Sequence, residues 1–312
     1  MQKWQCYHHF SVQSPGLLSR TFSSAINTLL YAPDGKTLLT SSEDWDSPIQ
    51  LWNLEILPTS PFASPNSPVQ LWNLLNGQPS RSIGHWKLGR FSRLALSKDG
   101  KILVIGGTVI ELWNLETGER LGELGSLFGH RDMSALAISP DNTLLATTSL
   151  GESPFNLFDY SIRLWDLTTL QPRHTLKGHP ARIRTLTFTQ DGQTLLSGSQ
   201  DGTIKSWDSR TGGPQNTLSQ PGLLRAIALS PDGEVAIGNR SSSDQPVNAI
   251  AFSPDGQHLA TTQGSTLTIT NADGERSPLT DHSAKIRAIA FSPDSHHLAS
   301  GDASGQVRLW RR

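Results

Sequence analysis

Short apolar and polar alternations, broken by turn residues, run along almost the whole chain. One unit recurs: an apolar stretch, then Pro-Asp-Gly or a variant, then a second apolar stretch. Its Asp falls at Asp34, Asp99, Asp141, Asp191, Asp232, Asp255 and Asp294, in steps of 65, 42, 50, 41, 23 and 39. Three steps lie near forty residues, enough for four short strands and their turns. Three residues before each Asp stand Tyr31, Leu96, Ile138, Phe188, Leu229, Phe252 and Phe291. Five before it stand Leu29, Leu94, Leu136, Leu186, Ile227, Ile250 and Ile289. Apolar residues two apart share one face of a strand. The turn chemistry fits a hairpin: Pro presets φ, Asp caps its own turn and Gly accepts positive φ. A second strand follows, as in Thr194 to Gly198, and then a third such as Ile162-Arg163-Leu164-Trp165-Asp166. A fourth follows a turn such as Glu116-Thr117-Gly118-Glu119.

The tract Gly178-His179 through Asp201-Gly202-Thr203-Ile204-Lys205-Ser206-Trp207-Asp208 resembles a tryptophan–aspartate (WD) repeat over its full length, and the resemblance covers nearly all of the chain. It implies an all-β fold, a WD-repeat β-propeller of nominally seven blades with a truncated fifth blade. The expected repeats run over about 22–84, 85–128, 129–177, 178–219, 220–245, 246–281 and 282–312. The last repeat reaches Trp310 without a fourth strand, so residues 1–12 are expected to supply it and close the last blade. Near-identical copies around Asp255 and Asp294 suggest recent duplication and resemble bacterial, notably cyanobacterial, WD proteins.

The resemblance also implies a buried His, Ser or Thr, Asp and Trp tetrad in well-formed blades. Two tracts match completely: His130, Thr147, Asp159, Trp165; and His179, Ser197, Asp201, Trp207. The last has His282, Ser300 and Trp310, with Ser304 in the Asp column. The second has His85 and Trp113 but Gly107 in that column, and the sixth has Ile269 where Trp is expected. These His and Asp residues read as structural rather than acid–base groups.

Three units break the pattern. Only 23 residues separate Asp232 from Asp255, room for two strands and a link. The first unit carries two third strands, Ile49 to Leu54 and Val69 to Leu74, around a Pro- and Ser-rich stretch. The second copy runs into a proper turn, so it is expected in the blade, with the first looped out or paired as an extra hairpin. The third unit holds about eight extra residues, Leu150 to Leu157.

Composition narrows the function. Net charge is −1, which argues against bulk binding to nucleic acid. Charged residues are 17% of the chain, below the usual quarter. Cys6 is the one cysteine, and Met1 to Phe10 has no apolar core of a signal peptide. A cytoplasmic protein is expected, a monomer by itself, with no cofactor and no membrane contact. His8-His9 and His296-His297 are adjacent pairs whose side chains diverge on a strand, so no metal is expected.

The resemblance places partners on the face bearing the loops between second and third strands. Seven residues before each turn Asp stand Asn27, Ser92, Ser134, Arg184, Arg225, Asn248 and Arg287. Two earlier stand Ala25, Arg90, Asp132, Arg182, Leu223, Pro246 and Lys285. The cations Arg90, Arg182, Arg184, Arg225, Lys285 and Arg287, with Trp45, Phe155 and Phe158 in nearby loops, form the expected protein-binding rim. An acidic or phosphorylated segment suits it, because Arg grips carboxylate or phosphate bidentately. A rival reading is a propeller hydrolase. It lacks a recurring carboxylate pair, a nucleophile elbow and a phosphate-binding loop. A further alternative is a degenerate repeat copy with no specific partner.

Overall fold

The computed structural model describes residues 4–11, 25–42, 49–53, 69–73, 78–83, 93–107, 109–125, 133–148, 160–220, 222–240 and 246–312. Every regular element among them is a strand, and the strands form seven sheets: five of four strands, one of five and one of two. The first strands of successive sheets pack side by side, from Ile26–Tyr31 through Ile183–Phe188 to Ile286–Phe291, and the last lies beside the first. The fold is a β-propeller whose sheets surround a central channel.

The core lies between the sheets. Leu144, Leu164 and Ile162 of one sheet meet Leu186, Leu195 and Trp207 of the next. Ala260, Leu267 and Ile269 meet Phe291, Leu298 and Trp310 in the same way. Each fully buried large side chain contributes about 1.5–3 kcal/mol.

The repeated turn behaves as its residues dictate. The Asp34, Asp99, Asp141, Asp191, Asp255 and Asp294 carboxylates each accept the backbone N–H two residues on. A hydroxyl two residues earlier, such as Ser253 or Thr189, donates to the same carboxylate. The residue after the Asp is left-handed throughout; Asn142 (φ 60°) and Ser295 (φ 62°) take that conformation where glycine is missing.

The outermost strand of the last sheet is Gln5–Ser11, antiparallel to Gln306–Arg311. Trp4 anchors it, buried edge-on against His258 (5.8 Å) and Phe291 (6.0 Å). Among the described residues the fifth sheet consists of Leu223–Leu229 and Val235–Arg240, the two strands expected.

The first sheet corrects one expectation. Both Leu-Trp-Asn copies lie within it. Ile49–Asn53 takes the third position, antiparallel to Thr37–Ser42, and Val69–Asn73 is inserted outside it. The two copies pair in parallel and in register, Ile49 with Val69 and Leu51 with Leu71. Fifteen residues separate Asn53 from Val69, long enough for the return that parallel pairing needs. The second copy still hands on to a fourth-type strand, Gln78–Ile83, so the sheet gains a strand instead of expelling one.

Candidate functional site

The tetrads decide whether the buried His and Asp residues are available for chemistry. In the fourth sheet the Trp207 indole donates to Ser197 Oγ (2.8 Å), and the hydroxyl lies 2.8 Å from His179 Nε2. His179 Nδ1 lies 2.8 Å from Asp201 Oδ2. The consistent proton arrangement is Trp to Ser, Ser to His and His Nδ1–H to Asp. In the third sheet Trp165 Nε1 donates to Thr147 Oγ1 (2.9 Å); His130 and Asp159 lie outside the described residues.

The last sheet corrects the expectation for Ser304. The carboxylate on His282 Nδ1 belongs to Asp302 (2.8 Å), while Ser300 bridges His282 (2.7 Å) and Trp310 (2.8 Å). By alignment Asp302 occupies the position of Ser199, and Ser304 that of Asp201. Ser304 instead donates its hydroxyl and its backbone N–H to Asp302. The network is complete, reached from two residues earlier.

The second sheet has no hydroxyl below its Trp, because Ile105 stands in that place. The Trp113 indole donates to the buried Glu111 carboxylate (3.1 Å), which Arg120 approaches at 3.5 Å. His85 lies outside the described residues. In the sixth sheet Thr270, not Ile269, holds the Trp place: it pairs with Leu259 as Trp207 pairs with Leu195. The expected column fell one residue short, because the step from the second-strand Leu to the Trp place varies between units: Leu103 to Trp113, Leu195 to Trp207, Leu259 to Thr270.

These networks set an acid sensitivity. Burial lowers the His179 pKa, only partly opposed by Asp201. Burial raises the Asp201 and Asp302 carboxyls, but their hydrogen bonds outweigh it and hold both below the usual carboxylate range. In both cases the folded state binds fewer protons than the unfolded one, so stability falls as pH falls. The His179 share is present above about pH 6.5 and lost as pH falls through its lower folded value. The Asp shares are present above about pH 4 and lost below it. Urea midpoints at pH 7.5, 5 and 3 should show a small first decrease and a large second one; a midpoint highest at pH 5 would contradict this.

The channel mouth has a different origin. In most first strands one residue is an unpaired bulge: the pairing skips from Ile26 to Thr28, Ile183 to Thr185, Leu224 to Ala226 and Ile286 to Ala288. The skipped residues are Asn27, Arg184, Arg225 and Arg287. In the sixth sheet the skip takes in Asn248 and Ala249. A bulge re-aims its side chain, and these side chains line a central cavity of about 510 Å³. Arg93, Ser134 and Lys285 complete the polar level. Two residues further along each strand, Leu29, Leu94, Leu136, Leu186, Ile227, Ile250 and Ile289 form an apolar collar beneath it.

The structure therefore brings together Arg184, Arg225, Lys285 and Arg287 of the expected rim. Arg182 is not among the lining residues; its charge, after burial, helps to lower the Arg184 pKa. Arg90, Trp45, Phe155 and Phe158 lie outside the described residues. Arg93 was not in the expected set. It stands six residues before its Asp, where the other units have Thr or Ala, and it also donates to the Asn27 carbonyl (3.3 Å). Burial, then Arg182, Arg225 and Arg93, lower the Arg184 pKa to about 10. Burial, then Arg225 and Arg287, lower that of Lys285. With its oxygen turned toward Arg184, the Gln200 amide accepts from Nη2 (2.6 Å) and Nε (3.1 Å), which fixes the guanidinium. No Asp or Glu is among the described residues lining the cavity.

Known proteins place this geometry. The repeat family described as "WD domain, G-beta repeat" matches residues 122–166, 170–208, 235–269 and 275–311. The chain is 27% identical over 236 residues to apoptotic protease-activating factor 1 of Rattus norvegicus, covering 70% of this chain and 16% of that one. It is 28% identical over 151 residues to a guanine nucleotide-binding protein subunit beta of Oryza sativa subsp. japonica, 45% of this chain and 38% of that one. It is 33% identical over 113 residues to the APC/C activator protein CDH1 of Saccharomyces cerevisiae, 35% of this chain and 18% of that one. The chain thus spans a minor part of each relative's length. With half of its residues matched by the repeat and the tetrads in place, the chain belongs to the WD40 repeat family.

Proposed function

We propose that this chain is a non-catalytic platform for protein–protein interaction, and that it receives an acidic or phosphorylated segment of its partner at the cationic channel mouth. The observation that carries this reading is the convergence of Arg93, Arg184, Arg225, Lys285 and Arg287 with no acidic residue among the described lining. The names of relatives agree with work done by assembly: one is a subunit and another an activator protein. The His and Asp side chains that a hydrolase reading would use are engaged in tetrads. Arg90, Trp45, Phe155 and Phe158 belong to the same proposed partner-binding set. The architecture behind the platform is a seven-bladed ring, with the two-stranded sheet as a truncated fifth blade and repeats bounded near residues 84, 128, 177, 219, 245 and 281. The near-identical copies favour a recently duplicated array of bacterial type, working in the cytoplasm.

A triple change of Arg184, Arg225 and Arg287 to Ala tests the reading. Wild-type protein should bind a subset of acidic or phosphorylated peptides on an array, and the variant should bind them at least tenfold more weakly, since close charge pairs couple by about 1.5 kcal/mol or more. Equal binding by wild type and variant would sink it.

A further inference from the structure

The channel is built for a compact ligand as well as for a surface contact. The bulged residues turn several cations onto one level, and the apolar collar lines the space beneath them. About 510 Å³ is within the range of small-molecule pockets. The charges also oppose one another: Arg184 and Lys285 both have lowered pKa values to which neighbouring cations contribute. Between Arg225 and Arg287 in ring order stands Asn248, whose side-chain Nδ2 and Oδ1 are both buried without a hydrogen-bond partner. An orphaned buried amide and a set of like charges are each unfavourable. One occupant meets both the Asn248 Nδ2 donor and the crowded charges: an anion that offers several charged oxygens in a small volume.

We propose that the channel mouth binds a compact polyanion of the oligophosphate class, gripped by Arg184, Arg225, Arg287 and Lys285 with the Asn248 amide as a neutral donor. The class follows from the donors. Guanidinium forks match phosphate oxygens bidentately, and an ammonium at the exposed lip adds a point charge. A single carboxylate meets one fork and leaves the remaining repulsion in place. The collar admits no charge further down, so the ligand sits at the mouth. This inference rests on the same ring of cations as the partner-binding reading and adds a ligand that needs no polypeptide.

The test is thermal unfolding of the full chain in sodium tripolyphosphate, orthophosphate and sodium chloride at matched ionic strength. Matching is required because salt alone screens the ring. Tripolyphosphate at a hundred times its Kd should raise the wild-type Tm on the order of 5 °C above the chloride control, and orthophosphate should do much less. Arg184→Gln, Arg225→Gln and Arg287→Gln together should abolish the response. Arg173→Gln with Arg210→Gln, exposed residues away from the channel, should keep it. If the triple variant does not fold, Arg225→Gln alone, followed by calorimetric titration, carries the same comparison. An equal response in wild type and ring variant, no response in either, or an equal response to orthophosphate overturns the proposal. If tripolyphosphate fails while peptides still bind through the ring, this inference falls and the partner reading stands. If tripolyphosphate binds and no peptide does, the reverse holds.

Discussion

Replacing Asp302 with Ala lowers the stability of the protein by about 3–5 kcal/mol at pH 7, while replacing Ser304 with Ala costs about 1 kcal/mol. The two residues are two apart, and the aligned column favours the wrong one. Asp302 is fully buried and accepts from His282 Nδ1 (2.8 Å), the Ser304 backbone N–H (2.8 Å), the Ser304 hydroxyl (2.7 Å) and the Gln306 backbone N–H (3.1 Å). Ala leaves the buried imidazole donor without its carboxylate and takes the same acceptor from two part-buried backbone N–H groups. Each orphaned group costs about 1–3 kcal/mol, more where the lost partner was charged. Ser304→Ala removes one donor from a carboxylate that keeps its others. Guanidinium unfolding of the two variants decides the point: equal losses would mean that Asp302 is not the organising group. Asp302→Asn should fall between them, because its amide offers one oxygen acceptor and brings an NH2 toward groups that donate.

The same comparison shows what could be read before any coordinates. The fourth tetrad was legible because its four residues sit at regular spacing on strands of regular length. The last was not, because hydrogen bonding requires only that a carboxylate reach His282 Nδ1, and a strand end offers two places from which to do so. The Trp column of the sixth sheet slipped by one residue because no Trp marks it and the turn before the third strand differs in length between units, whereas the pairing of Leu259 with Thr270 fixes it. The doubled third strand was a choice between copies that the sheet does not make. Both copies carry the same Gln-Leu-Trp-Asn, each satisfies the same ladder, and the sheet accepted both. The cationic mouth was legible as a position, seven residues before the turn Asp. Its cause was not: that position is a bulge, and the bulge is what turns Arg184, Arg225 and Arg287 into the channel. Arg93 was missed because nothing in the other six units marks its column as facing inward.

Removing residues 1–11 lowers Tm by about 10 °C or more and drives the protein toward aggregation. The deleted segment is the outer strand of the last sheet, paired from Gln5 with Arg311 to Ser11 with Gln306. Without it the strand Gln306–Arg311 becomes an open edge carrying Val307, Leu309 and Trp310, all now buried. An exposed apolar edge is a template for pairing with another chain. Trp4 leaves with the strand, and loss of a buried Trp alone costs about 3–5 kcal/mol, at about 2–4 °C for each kcal/mol in a protein of this size or somewhat smaller. Tyr7 also leaves, and with it the ring under the Arg311 guanidinium (5.6 Å). Trp4→Ala separates the two contributions. It removes the anchor against His258 and Phe291 but keeps the ladder, so it should lose stability without added aggregation. A peptide of residues 1–12 added to the truncated protein should restore part of the Tm, since it binds only the folded ring. If the truncated chain melts with the full-length one, the strand Gln5–Ser11 contributes nothing to closing the last sheet. If it melts early without aggregating, Trp4 rather than the covered edge carries the closure.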